Sequence, residues 1–114
     1  MIQINNYFFE PTKFEKKYRE IGNTQRSFSG KVHTQNINKY YNFQLKIEGL
    51  SPSMFGNLLY LLSLNRGEAP SNLTLLDNEG NEYTVIIPIN GVNYDREEGE
   101  EETYYWEMEM WEVI

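Results

Sequence analysis

From Tyr40 to Glu48 apolar and polar residues alternate. Tyr41, Phe43, Leu45 and Ile47 share one face, and Asn42, Gln44, Lys46 and Glu48 share the other. This period of two predicts a half-buried strand. Upstream, Arg26–Thr34 alternates more weakly, with Phe28 and Val32 on one side and Lys31 and His33 on the other. The polar stretch Gln35-Asn36-Ile37-Asn38 then closes a hairpin between these two strands. Met1–Phe9 reads as an opening strand with Ile2 and Ile4 on one face. Glu10–Ile21 has mixed polarity and carries Pro11, which leaves room for a helical turn at most.

One segment has helical periodicity. Ser51 suits an N-cap and Pro52 the first helical position, where its missing N–H costs nothing. Met54, Phe55, Leu58, Leu59, Leu61 and Leu62 then form a broad apolar face, which a sheet or another subunit must cover. Gly67 is placed to end the helix in a left-handed conformation. Past it come a strand reaching Leu76, a turn at Asp77–Asn81, and a strand in which Tyr83, Val85, Ile87 and Ile89 alternate with Glu82, Thr84, Ile86 and Pro88. The closing strand, Thr103–Ile114, sets Tyr104, Trp106, Met108 and Met110 on one face. Tyr105, Glu107, Glu109, Trp111 and Val113 lie on the other. The pattern predicts a mainly β (α+β) domain spanning 1–114, an antiparallel β-sandwich or barrel with one flanking α-helix.

Composition narrows the chemistry. There is no cysteine, so neither a disulfide framework nor a thiolate metal site is available. The N-terminal stretch lacks a basic segment followed by an apolar one, so no secretory leader is expected, and Asn72-Leu73-Thr74 is read as a chance sequon. The apolar run around Met54–Leu64 is too short and interrupted to span a membrane. A net charge of −7 argues against direct nucleic-acid binding, which needs a basic surface. That charge is uneven: residues 1–66 hold nine Lys/Arg and four Asp/Glu, whereas 67–114 hold one and thirteen. Such a split predicts a surface of two signs, if the halves stay apart in space.

Two segments invite a metal reading. Asp77-Asn78-Glu79-Gly80-Asn81 has oxygen ligands, but its glycine comes fourth rather than sixth and strands flank it, so it reads as a hairpin turn. The run Asp95-Arg96-Glu97-Glu98-Gly99-Glu100-Glu101-Glu102 reads as a solvated or partner-facing loop. His33 is the single histidine, and the spacing of Glu107 and Glu109 is what any strand face produces. With no phosphate loop, nucleophile elbow or zinc set, no enzyme and no cofactor are expected.

The order of features from about Arg26 to Ile114 resembles the tail-tube and distal-tail proteins of long-tailed bacteriophages. It begins with Arg26-Ser27-Phe28-Ser29-Gly30-Lys31 and the aromatic strand ending Ile47-Glu48-Gly49-Leu50-Ser51. The Leu-rich helix follows, then Leu73–Val85 with its Asp-x-x-Gly turn and Tyr-x-Val strand start, and finally Trp106-Glu107-Met108-Glu109-Met110. Some tail-tube proteins have a longer loop at the first hairpin, where Gln35–Asn38 is short. The resemblance implies a non-enzymatic subunit of a virion assembled in the host cytoplasm, in the tail or head-to-tail region. Its partners would be itself, in a ring-like homo-oligomer, and other virion proteins. A ring needs a heterologous contact, one surface meeting a different one. The expected interface residues are Tyr105, Glu107, Glu109 and Trp111 with the loop carrying Asp95, Glu97, Glu98, Glu100, Glu101 and Glu102. Lys16, Lys17 and Arg19 are the expected basic partners. The rival readings are an acidic inhibitor that mimics nucleic acid on a basic host protein, and an accessory binding module that uses its tyrosines and tryptophans.

Overall fold

The computed structural model describes residues 1–26, 32–67 and 70–113, with 21–26 and 32–39 described through their backbone alone. Residues 27–31 of the basic-aromatic motif and the side chains of Val32 and His33 therefore lie outside the described part.

Met1–Phe9 forms two strands rather than one, β1 (Ile2–Ile4) and β2 (Tyr7–Phe9), paired with Ile2 opposite Phe9. Asn5 turns the chain between them with φ 52°, a left-handed conformation in which asparagine is enriched. Its side-chain oxygen accepts the Thr74 N–H at 2.9 Å.

Lys13–Arg26 is a strand, β3, where at most a helical turn was expected, and β4 runs unbroken from Val32 to Leu50. In β3 the period of two was masked by Lys16, which sits between Phe14 and Tyr18 on the inner face. Phe14 stacks on Phe43 with centroids 5.7 Å apart, and Tyr18 meets Tyr41 edge-on at 5.8 Å. Gln35–Asn38 does not close a hairpin. Asn38 faces Ile21 while Gln35 faces Asn23, so two β4 residues oppose one on β3. That is a β-bulge, which, like a turn, interrupts the alternation of a strand.

The helix α1, Pro52–Leu64, starts as expected: Ser51 Oγ accepts the Met54 N–H at 3.3 Å. It is capped at Asn65, and Gly67 takes φ +101° two residues beyond. Asn65 also ties the helix end to the sheet, accepting the Ile87 N–H at 2.7 Å, while Arg66 donates to the carbonyls of Ile87 and Pro88. β5 (Leu73–Leu76) and β6 (Glu82–Ile86) make the predicted hairpin. β7 (Val92–Arg96) was not foreseen, and β8 (Tyr104–Glu112) closes the chain.

All pairings are antiparallel, and hydrogen bonding runs through one sheet in the order β2-β1-β5-β6-β8-β4-β3. β7 and β6 share one edge of β8. β2 and β3 end that order, yet only Glu10–Thr12 separate them in the chain. Four residue steps reach about 14 Å at most, so the sheet has to roll up. The Thr12 N–H extends the β3–β4 ladder by donating to the Lys46 carbonyl at 2.8 Å. Inside the roll lie Ile4, Phe43, Leu45, Leu75, Val85, Trp106 and Met110, with Leu58 and Leu61 of α1 beside them. Aromatic contacts of Phe55 hold α1 in place: it stacks on Tyr104 at 4.1 Å and meets Trp106 edge-on at 5.8 Å and Tyr94 at 5.3 Å, while Tyr94 itself stacks on Trp106 at 4.9 Å.

Pairing of β4 with β8 stops at Asn42. Beyond it, among the described residues, β4 pairs only with β3. The two strands leave the body as a ribbon, and the molecule measures 69 × 30 × 27 Å.

Phe43 is fully buried among Phe14, Tyr41 and Tyr83. Phe43→Ala is expected to cost about 3–5 kcal/mol, read as a lower urea midpoint at an unchanged slope.

Candidate interaction surface

The outer face of the sheet is built by pairing register. Lys13 of β3 lies beside Lys46 of β4 and Lys46 beside Glu107 of β8. The next rows are Glu15, Gln44 and Glu109, then Lys17, Asn42 and Trp111, with Arg19 beside Tyr40. Glu107, Glu109, Trp111, Lys17 and Arg19, which sequence reasoning placed on opposing surfaces, thus share one face. Tyr105 lies on it too, half-buried beside Asp95 of β7. Lys16 points the other way.

Within the body the two signs of charge therefore mix, contrary to the separate basic and acidic surfaces expected. The nonlocal pairing of β4 with β8 brings the two halves of the chain side by side. Lys46 sits 3.3 Å from Glu48 and 3.8 Å from Glu107, and Lys13 sits 3.1 Å from Glu15. These exposed pairs contribute little, about 0–1 kcal/mol each. Trp111 is 42 % exposed, held in orientation by its indole N–H donating to Glu109 Oε1 at 2.8 Å. A groove of 460 Å³ runs along this face between Lys13, Lys46 and Glu109 on one side and Asn90–Asn93 on the other.

The acidic run is less of a free loop than the sequence suggested. Asp95 and Arg96 end β7, and the Glu97 N–H donates to the Thr103 carbonyl at 2.8 Å, closing a short loop onto β8. Glu97 accepts the Gly49 N–H, and Glu102 accepts the Tyr104 hydroxyl. That hydrogen bond, aided by desolvation and the carboxylate charge, raises the Tyr104 pKa. Glu98, Glu100 and Glu101 are exposed. The loop sits at the Leu50 end of β4, at the pole opposite the β3–β4 ribbon.

Asp77–Asn81 is a turn between β5 and β6. The Asp77 carboxylate is buried and accepts the N–H groups of Glu79 at 2.9 Å and Asn81 at 2.8 Å, while Gly80 takes φ +88°. Lys16 reaches this turn from β3. Its ammonium lies 3.8 Å from Asp77, donates to the Tyr83 hydroxyl at 3.2 Å, and sits 5.1 Å from the Tyr41 ring centroid. Desolvation pushes the Asp77 pKa up, but the hydrogen bonds from Asn81 and Glu79, with the Lys16 charge, outweigh it and leave the pKa below the ordinary value. The Tyr83 hydrogen bond is the main reason that the Lys16 pKa is raised.

A second groove, of 390 Å³, was not visible in the sequence. It lies at the acidic pole between β2 and the β4–α1 junction, lined by Met1, Phe8, Ile47, Leu50 and Met54 with Glu10 and Glu48 at its edge. Phe8 is 55 % exposed there. The only hint was Phe8 beside Phe9 in a strand that can bury one of them. Among the described residues no group of three or more His, Cys, Asp or Glu is arranged to hold a metal, and no helix is long and apolar enough to cross a membrane.

A depressed carboxylate stabilises the fold above its unfolded pKa of about 3.9, and that contribution is lost as pH falls through the lower folded value. Asp77→Ala strands two turn N–H groups and is expected to cost about 1–3 kcal/mol near pH 7. The difference from the parent protein should shrink as urea unfolding is repeated at progressively lower pH below about 4.

No family model matches the chain, and no curated protein does so either. Among solved structures, a chain described as "Virion of native gene transfer agent (GTA) particle" superposes with a TM-score of 0.64 at 9% identity, covering 99% of this chain and 91% of that one. At such identity the likeness is one of fold.

Proposed function

We propose that the protein is a structural subunit of a phage-like virion, placed in the tail or head-to-tail region and acting through protein–protein contacts rather than catalysis. The observation that carries this reading is the full-length fold likeness to a chain of a gene transfer agent virion. Two features of the molecule support it. A two-stranded ribbon standing away from its sheet is marginal in water by itself, and a neighbouring subunit would give it a surface to lie on. The outer face also carries Trp111 and Tyr105, residue types enriched where proteins meet, among charges of both signs that set register more than affinity. The subunits form a ring-like homo-oligomer through this face, with other virion proteins above and below.

Sedimentation velocity of the pure protein is expected to show species at multiples of the single-chain mass. Lys17→Glu with Arg19→Glu should shift them toward monomer, and more so at low salt. Lys16→Glu should instead lower thermal stability, because its ammonium serves the Asp77 turn. A chain that remains monomeric at every concentration would overturn the reading.

A further inference from the structure

On the outer face of the sheet most charges are matched within the molecule. Lys13 is taken by Glu15, and Lys46 by Glu48 and Glu107. Lys17 and Arg19, further along β3, are exposed, and neither has an ion-pair partner among the described residues. Lys17 lies in the row of Asn42 and Trp111, and Arg19 lies beside Tyr40. Two unmatched cations and an exposed indole thus share the root of the ribbon. Glu109, next along β8, already accepts the Trp111 indole N–H.

The acidic run divides in the same way. Glu97 is held on the Gly49 N–H and Glu102 on the Tyr104 hydroxyl. With the Glu97 N–H on the Thr103 carbonyl, these bonds fix the stem of the loop. Glu98, Glu100 and Glu101 stay exposed, with no ion-pair partner among the described residues. From Asp95 to Glu102 the chain sets six carboxylates against Arg96. A loop fixed at its stem presents its charges with less ordering left to lose on binding.

The two groups cannot meet within one molecule. From Tyr40, beside Arg19, to Leu50, beside Tyr104 at the foot of the loop, β4 covers about 33 Å at 3.3 Å per residue. The short chain between Glu97 and Thr103 lets the loop tip reach only about 11 Å from its stem. We infer that the acidic loop of one copy docks on the outer sheet face of a second, with Glu98, Glu100 and Glu101 against Lys17 and Arg19. The loop then lies over Trp111 and covers it. Lys16, turned inward to Asp77, takes no part. One surface meets a different one, so the contact is heterologous, as a ring requires. This contact rests on the self-assembling subunit proposed above and names the surface of the neighbour that it uses.

Charge exchange in the full chain tests it. The loop variant carries Glu98→Lys, Glu100→Lys and Glu101→Lys, and the face variant carries Lys17→Glu and Arg19→Glu. Loop and face are then both basic in the first and both acidic in the second. Each alone is expected to associate about a hundredfold more weakly than wild type, because like charges confront each other. Mixed in equal amounts, every basic surface meets an acidic one, and sedimentation velocity should recover species of wild-type size. The recovery should be greatest at low salt and fade as salt screens it. Circular dichroism of each variant checks that the fold survives. A gentler pair, Arg19→Cys in one chain and Glu100→Cys in another, uses the absence of cysteine. Mixed under mild oxidation, these should form the mixed bridge in preference to either homodimer. A loop variant that associates as wild type does, or variants that stay apart when mixed, would overturn this contact and leave the subunit reading standing as long as wild type associates. A wild-type chain that stays monomeric at every concentration would overturn both.

Discussion

Three residues, Glu10–Thr12, impose the constraint on which the architecture rests. They join the strands that hydrogen bonding places at opposite ends of the sheet. A link this short forbids a flat sheet, and the strands must curl until the end of β2 lies within its reach of the start of β3. Curling gives the sheet an inside, and the alternating strands fill it from β1, β4, β5, β6 and β8. It also brings β3 over the β5–β6 turn, so that Lys16, an ammonium among aromatic rings, finds Asp77 and Tyr83. A charge on the inner face is tolerable because it is hydrogen-bonded there and paired with a carboxylate already satisfied by the turn.

The same curl explains the distribution of charge. A chain basic in its first part and acidic in its last would have two-signed surfaces if its halves folded side by side. Here β8, from the acidic part, inserts between β4 and β6, and Lys46 meets Glu107 directly. Mixing is complete in the body. In the sequence beyond the shared sheet the count is uneven: residues 18–41 hold four Lys/Arg against Glu20.

What was legible in the sequence was whatever one buried face dictates. The inner positions of β4 and β8, the α1 cap at Ser51, and the Asp77–Asn81 turn were all readable, because their periodicity or turn chemistry is local. β3 was hidden since Lys16 breaks its apolar face, and only pairing with β4 reveals the reason. β7 was hidden because it leaves Asn93, Tyr94, Asp95 and Arg96 exposed, and it is held by hydrogen bonds with β8 and by Tyr94 stacking on Trp106. Gln35–Asn38 misled since a bulge, like a turn, interrupts the alternation of a strand. Of the surface, the identity of the outer residues of β8 was readable. Their neighbours were not, since adjacency across strands is set by register, which is not a local property. The cleft at Phe8 depends on three elements distant in the chain and left almost no local trace.

The free margin of β3 has its own consequence. It ends the sheet with no partner among the described residues, and an open strand of this length is ordinarily a template for indiscriminate aggregation. From Lys13 to Glu20 this one carries Lys13, Glu15, Lys16, Lys17, Arg19 and Glu20, and charged side chains, lysines above all, blunt an edge against strand addition. At the other margin β2 has only three residues, too few to nucleate pairing. Neither margin of the sheet therefore favours indiscriminate strand addition, which leaves association to more specific surfaces.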